Sequence, residues 1–203
     1  KGRTGYRMNN GQMVDAMMQD GLWDLVNDFH MGISAELIAE KYKISREDSD
    51  AFALASYEKA WKAQEMGKFN SEIVSVEIPS RKGDAQIFDA DEIPTRKPLT
   101  TMEGLKKLRP AFKKDGLVTA GNASKIADGA SALVVMSREK ADALGCKPLV
   151  RVGAQGASGM DMKYVLVAPI LSIPKVLAKD GLKVGDIDLH EINEAFSTSS
   201  VAV

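Results

Sequence analysis

The fold is decided by residues 117–124, which read Leu-Val-Thr-Ala-Gly-Asn-Ala-Ser. Leu117 to Ala120 predict a short strand, and the small residues after it predict a tight turn ahead of a helix. Small side chains at such a turn let a ligand approach the backbone N–H groups, and Ser124 adds a hydroxyl. Taken alone, this stretch is as typical of a plain turn as of a binding loop, because it matches no phosphate-binding fingerprint.

A second polar cluster lies at residues 190–196, His-Glu-Ile-Asn-Glu-Ala-Phe. The alternation over 187–192 predicts a strand, and Phe196 opens a predicted helix. Ligands of open α/β sheets bind beyond the carboxyl ends of strands, so Asn193 becomes a candidate site residue. An Asx cap followed by an acidic first turn is the alternative interpretation. His30 is a weaker candidate, because a lone histidine among apolar neighbours is more often a packing residue.

Hydrophobic periodicity predicts further helices and strands along the rest of the chain. Helices are predicted within 12–27 and over 33–42, 45–67, 102–107, 138–144 and 171–179, and strands over 73–78, 86–88, 131–137 and 149–152. The second half alternates strand and helix, which favours a layered α/β architecture.

Composition excludes several classes of protein. The chain has 203 residues, with 27 Lys and Arg against 28 Asp and Glu, a net charge of −1 that argues against nucleic acid as a partner. A hydrophobic content of 44% is typical of a globular domain, and the apolar runs are too short to span a membrane. No residue pattern has metal-ligand spacing. The single cysteine, Cys146, excludes an intrachain disulfide and favours a reducing, cytoplasmic location.

Four segments together resemble the thiolase superfamily. Residues 193–196 are similar to its Asn-Glu-Ala-Phe signature, and residues 118–130 are similar to its TAGNAS–DGA loop. Residues 20–32 with the helix at 45–55 resemble its CoA-binding loop domain, and residues 108–112 add the fourth match. Within the superfamily, the chain is most similar to the biosynthetic acetyl-CoA C-acetyltransferases. The His-Met-Gly triplet that begins at His30 favours short acyl chains.

The resemblance implies a particular organisation. It predicts a thiolase-like layered α/β core, incomplete in this chain, with an inserted mixed α/β loop domain. The CoA-binding loop domain is expected at 1–125, the returning part of the N-terminal core domain at 126–146, and the start of the C-terminal core domain at 147–203. The nucleophilic cysteine of the family matches a point before the first residue, and Cys146 matches neither family cysteine. We therefore expect the chain alone to be inactive.

The resemblance also implies an activity and its residues. Thiolases condense two acetyl-CoA molecules to acetoacetyl-CoA and catalyse the reverse thiolysis, with CoA thioesters as substrates and no permanently bound cofactor. Asn193 is expected to hold a water of one oxyanion hole. Ser124 is expected to meet an amide of the pantetheine, and Arg96 is expected near the CoA nucleotide. The pantetheine tunnel is expected to be lined by Leu22, His30, Met31, Phe112, Ala120, Ser124 and Phe196.

Assembly and two other functions follow from the same resemblance. A homo-oligomer, a dimer of dimers, is expected, with the loop at 1–12 joining the dimers through Lys1, Arg3, Tyr6 and Arg7. A solvated loop on a simple dimer is the alternative. The alternative functions are a degradative 3-ketoacyl-CoA thiolase and a non-catalytic CoA-binding module.

Overall fold

The computed structural model describes residues 3, 5, 8, 10–81, 83–91 and 101–203. Its helices are α1 (Met31–Tyr42), α2 (Arg46–Glu65), α3 (Met102–Lys106), α4 (Arg138–Ala143), α5 (Pro169–Lys179) and α6 (Ser197–Ala202). Its strands are β1 (Trp23–Asp24), β2 (Phe29–His30), β3 (Val76–Ile78) and β4 (Gln86–Phe88). A π-helical turn covers Met17–Gly21, and 3₁₀ turns cover Met162–Val167 and Val184–Asp186.

Helix α2 begins at a complete capping box. The Ser45 hydroxyl accepts from the Asp48 backbone N–H at 3.0 Å, and the Asp48 carboxylate accepts from the Ser45 N–H at 2.9 Å. These two bonds satisfy donors that a helix N-terminus otherwise leaves open. The hydrogen bond from the Ser45 hydroxyl, followed by that from its N–H, lowers the pKa of Asp48. Beyond the helix, Gly67 adopts a φ of 65°, which suits glycine. The predicted helix is confirmed.

Strands β1 and β2 form an antiparallel hairpin that leads into α1. Trp23 pairs with His30 across the hairpin, and the turn is built on Asp24, which is fully buried. Burial alone would raise the pKa of Asp24, but three hydrogen bonds outweigh it and lower that pKa: the Asn27 amide donates, and so do the N–H groups of Asn27 and Val26. The turn thus fixes where His30 leaves the hairpin.

The strands predicted over 73–78 and 86–88 are confirmed as β3 and β4. Strands β3 and β4 pair antiparallel, with Val76 opposite Phe88. Every residue of both strands is exposed.

The core is organised around α1 and α6. Ala35 of α1, Val118 and Phe196 form one buried cluster, and Ala53 of α2 packs with Leu105 of α3 in another. Helix α1 contacts both α6 and the 3₁₀ turn at 162–167, where the Ser34 hydroxyl donates to the Lys163 carbonyl at 2.7 Å.

Four predicted strands are wrong as secondary structure. Residues 117–120, 131–137, 149–152 and 187–192 carry no ladder in the structure. A strand requires a neighbouring strand for its backbone hydrogen bonds, and none of these segments pairs with one among the described residues. The Val118 carbonyl instead accepts from the Ala111 N–H at 2.9 Å. The apolar side chains of 131–137 and 149–152 are consequently exposed; for example, Leu149 is 95% exposed, whereas Val118 is buried in the core. Residues 187–192 are not helical either. Their alternating pattern therefore indicates a non-helical segment but does not show whether it pairs with another strand.

Part of the sequence-based prediction lies outside the described residues. This applies to Lys1, Tyr6, Arg7 and Arg96. Within the described ranges, no helix is long and apolar enough to cross a bilayer. The same ranges contain no group of three or more His, Cys, Asp or Glu side chains arranged to hold a metal ion.

Candidate functional site

Three predicted site residues form an aromatic stack. The His30 ring lies on the Phe112 ring with 4.5 Å between centroids and 18° between planes. Phe112 meets Phe196 edge to face, at 6.2 Å and 80°. Met31 packs on the same cluster, and its N–H donates to the Leu22 carbonyl at 2.8 Å. Side chains that are far apart in sequence therefore line one apolar surface.

The histidine of this stack is held as a neutral ring. Its Nδ1 accepts a hydrogen bond from the Gly32 N–H at 2.8 Å, which also caps the N-terminus of α1. Burial lowers the pKa of His30, because desolvation disfavours the charged imidazolium. With Nδ1 accepting, the proton of the neutral ring lies on Nε2. The site therefore presents one N–H donor beside an apolar face.

The two sequence motifs at 117–124 and 190–196 lie side by side. The Ser124 N–H donates to the Ala195 carbonyl at 2.9 Å, and the Ser197 N–H donates to the Asn122 carbonyl at 2.9 Å. Between them, Ala123 and Phe196 form an antiparallel bridge. A turn at 120–124 and the start of α6 thus share a short backbone ladder. Ser124, the residue that follows the bridge residue Ala123, is exposed.

The loop at 117–124 is anchored by a buried polar network. The Asn122 Oδ1 accepts from the Thr119 N–H at 2.8 Å, and its Nδ2 donates to the Leu117 carbonyl at 3.0 Å. The same Nδ2 donates to Asp50 Oδ1 at 2.9 Å, and Asp50 Oδ2 accepts from Arg46 Nε at 2.6 Å. Sequence reasoning missed the Asp50–Arg46 pair. The available signal was its spacing of four residues, which places both side chains on one face of α2.

A second buried carboxylate holds the start of the same loop. Glu36 of α1 accepts from the N–H groups of Leu117 and Val118, at 3.0 and 2.8 Å. Gly116 lies so close to this carboxylate that a Cβ there would overlap it. The sequence gives no signal for this contact beyond an acidic residue on the apolar side of a predicted helix.

Helix α2 also contacts both motifs from its middle turn. The Tyr57 hydroxyl donates to the Gly121 carbonyl at 3.1 Å, and burial raises the pKa of that tyrosine. The Ser56 hydroxyl donates to Glu194 at 2.6 Å. Lys125 donates to the Ala120 carbonyl at 2.7 Å, with its ammonium 5.6 Å from the centre of the Tyr57 ring. A cavity of about 210 Å³ lies among these groups, with Ser124 on its wall.

Asn193, the predicted oxyanion-hole residue, has fewer structural features around it that indicate a site than the aromatic stack has. Asn193 is exposed and precedes the ladder by two residues. Because residues 187–192 form no strand, its expected place at a strand end is lost. A larger cavity of about 960 Å³ lies beside it, between α5 and α6, with His190 and Glu194 on its wall.

This geometry and the comparisons with known proteins define the class of protein. The chain matches the family description "Thiolase, N-terminal domain" over residues 1–139 and "Thiolase, C-terminal domain" over residues 146–203. It belongs to the thiolase family, and its fold is a thiolase fold, of the α/β class.

Particular relatives are acetyl-CoA acetyltransferases. The chain is 49% identical to the acetyl-CoA acetyltransferase of Pseudomonas aeruginosa and 51% identical to that of Chromobacterium violaceum; each alignment covers 99% of this chain and 51% of the relative. The crystal structure of the Bacillus anthracis acetyl-CoA acetyltransferase matches with a TM-score of 0.87 at 41% identity, covering 100% of this chain and 50% of the other. The chain thus spans about half the length of these relatives.

Proposed function

We propose that these residues form the acyl-CoA-binding part of an acetyl-CoA C-acetyltransferase, which condenses two acetyl-CoA molecules to acetoacetyl-CoA and catalyses the reverse thiolysis. The supporting observation is the convergence of His30, Phe112 and Phe196 with the 120–124 turn. An apolar aromatic surface beside a few fixed polar groups suits a pantetheine arm, which is an apolar chain with two amides.

The roles of the residues follow from their chemistry. Met31, Phe112 and Phe196 exclude water from the pantetheine, and Leu22 extends the apolar wall. Ser124 and Ala120 face solvent at the turn, where the Ser124 hydroxyl donates to or accepts from a pantetheine amide. Arg96 pairs with a phosphate of the CoA nucleotide.

Asn193 supplies the electrostatic part of the proposal. The substrate carbanion carries negative charge on its thioester oxygen, and a water held by Asn193 donates a hydrogen bond to that oxygen. The acyl group itself is carried by a cysteine thiolate of the full-length enzyme. No residue of this chain is assigned that role.

The test is CoA binding by the full-length protein that carries this chain. Phe112→Ala should raise the Kd for coenzyme A, measured by calorimetry, by roughly 10-fold or more, because a buried aromatic contact is lost. Phe88→Ala is the matched control, since Phe88 is a half-exposed phenylalanine of β4 away from the stack. Equal affinities in the two variants would place the CoA site elsewhere.

Substrate assays separate the proposal from its alternatives. An acetyl-CoA C-acetyltransferase should cleave acetoacetyl-CoA and decline in kcat/KM as the ketoacyl chain lengthens. A preference for long chains would indicate a degradative 3-ketoacyl-CoA thiolase. CoA binding without turnover would indicate a non-catalytic module.

The proposal extends to assembly and location. We place the enzyme in cytoplasmic fatty acid metabolism as a tetramer, whose dimers join through the loop at 1–12. Arg3 of this loop is exposed. The solution mass of the full-length protein should fall from tetramer to dimer when Arg3 and Arg7 are changed to Glu, while Lys41→Glu, a change on the exposed side of α1, should leave it unchanged.

A further inference from the structure

We propose that Asp50 of α2 is a positioning residue for the loop at 117–124, acting through Asn122 to hold Ser124 and Ala120 where acyl-CoA is bound. This inference rests on the proposed function for the ligand, and on the geometry alone for the loop. Asp50 contacts the loop through the side chain of Asn122 and is not itself among the residues proposed to bind acyl-CoA.

The geometry makes Asn122 the central connection of the loop. Its side chain bonds backward, to the N–H of Thr119 and the carbonyl of Leu117, and closes the turn on itself. Its backbone carbonyl bonds forward, to the N–H of Ser197 at the start of α6. One residue therefore sets both the shape of the turn and its place against the signature at 193–196.

Asp50 fixes the orientation of that amide. An asparagine side chain flips readily between two arrangements that exchange its oxygen and nitrogen. The acceptor at Asp50 Oδ1, 2.9 Å from Nδ2, favours the same one as the Leu117 carbonyl and adds a charge to it, because a flipped amide would turn its oxygen against the carboxylate. In the favoured arrangement, Oδ1 faces the Thr119 N–H.

Asp50 is in turn held by Arg46. Asp50 is 1% exposed, and Arg46 neutralises it at 2.6 Å. The same guanidinium donates to the carbonyls of Leu105 and Leu108, at 2.8 and 3.1 Å. The network therefore runs from α3 through Arg46 and Asp50 to the loop. A buried carboxylate in such a chain contributes a charge-assisted hydrogen bond, which is stronger than a neutral one.

The test compares Asp50→Ala with a matched control in the full-length protein. The control is Asp142→Ala, which removes the aspartate of an exposed Arg–Asp pair of the same i,i+4 spacing on α4. Two quantities are measured: hydrogen exchange of the Thr119, Ser124 and Ser197 amides, and the Kd for coenzyme A per folded molecule.

The expected result is specific to Asp50. Asp50→Ala should speed exchange at these three amides by roughly 10-fold or more, and should raise the Kd for coenzyme A by a similar factor, since a hydrogen bond to a charged group is lost. Asp142→Ala should change neither. Asp50→Asn keeps an acceptor for Asn122 and should restore most of both quantities. If Asp50→Ala does not fold, Asp50→Val replaces it, since valine fills more of the same space and likewise offers no acceptor to Asn122.

Two outcomes overturn the inference or separate it from the proposed function. Equal acceleration of exchange across α1, α2 and the loop, with an unchanged Kd in the folded fraction, would make Asp50 a stabilising residue only and overturn it. If the wild-type protein binds no coenzyme A while Asp50→Ala still loosens the three loop amides, the positioning role stands and the proposed function fails.

Discussion

At the scale of single residues, His30 both stabilises the fold, as the cap of α1, and forms part of the candidate site, in the stack on Phe112. One ring stacks on Phe112 and caps α1 through Nδ1, so protonating Nδ1 would break the cap. Burial lowers the pKa of His30 below its ordinary value of 6.5. Below pH 6.5 the unfolded chain therefore binds a proton that the folded ring does not.

The sign of the resulting pH dependence is fixed by that difference. The contribution of His30 to the free energy of unfolding should be fully present above pH 6.5 and should be lost as pH falls through the lower pKa of the folded state. Denaturant unfolding between pH 5 and 8 measures this. His30→Asn keeps a cap acceptor but cannot titrate, so it should lack this component of the pH dependence. Parallel pH profiles for the two proteins would contradict the prediction.

A second residue-scale prediction concerns Asn193. If Asn193 holds the oxyanion water, Asn193→Ala in the full-length enzyme should lower kcat by roughly 10²–10³ while KM changes little. Steady-state acetoacetyl-CoA thiolysis measures both constants. Asn70→Ala, at another exposed asparagine, is the control. A kcat within a few-fold of wild type would remove Asn193 from the catalytic machinery; it does not cap α6, whose N-cap is Phe196.

At the scale of elements, α1 depends on a close approach between Gly32 and Phe112. Gly32 is buried, and a Cβ there would overlap the phenyl ring. Gly32→Ala should therefore displace Phe112 from His30 and lower the free energy of unfolding by about 1–3 kcal/mol, the usual range for overpacking. Thermal denaturation measures the loss. Gly159→Ala meets open space and is the control; a variant of Gly32 as stable as that control would show that the stack tolerates the methyl group.

Helices and strands that are specified by neighbouring residues in the sequence could be predicted from the sequence alone. The N-cap at Ser45 and the amphipathic period of α1 are local, and β3 and β4 lie only seven residues apart in the sequence, so each can be recognised without distant contacts. Strand formation at 131–137 depends on a partner, which the apolar pattern alone does not supply. The pattern identified an extended apolar segment correctly but could not tell whether it is paired.

The candidate site also contains parts that the sequence predicts from local motifs and parts that depend on long-range contacts. The turn at 120–124 and the signature at 193–196 are contiguous motifs, so the family resemblance predicts both, and a short backbone ladder joins them in the structure. Asp50 lies in the helix at 45–55 that resembles the family and Glu36 lies in no matched segment, but the contact of each with the loop spans more than seventy residues and has no local signal. Long-range contacts of buried acids can be read only from the fold.

At the scale of the whole molecule, apolar surface is distributed unevenly. Leu133, Val134 and Leu149 are each at least 86% exposed, and all lie on extended segments between α3 and α5. Exposed apolar segments with open backbone groups are typical sites of association. The aromatic stack, in contrast, is covered from several elements. Under the proposed function, binding and catalysis make separate demands: the residues assigned to CoA binding lie in this chain, whereas the acyl transfer also requires a thiolate.

The last prediction follows from that separation. The 203-residue chain alone should show no acetoacetyl-CoA thiolysis, because covalent catalysis needs a nucleophile at the site. Its single cysteine, Cys146, is exposed just beyond α4, and its N–H is tied to the Ala141 carbonyl at 2.9 Å. Turnover is measured as the cleavage of acetoacetyl-CoA by CoA to acetyl-CoA, which is monitored by the fall in absorbance of the acetoacetyl-CoA enolate. Cys146→Ser is the decisive companion: turnover that is present in the wild-type chain and absent in this variant would make Cys146 the nucleophile and overturn the assignment of that role to a residue outside these 203.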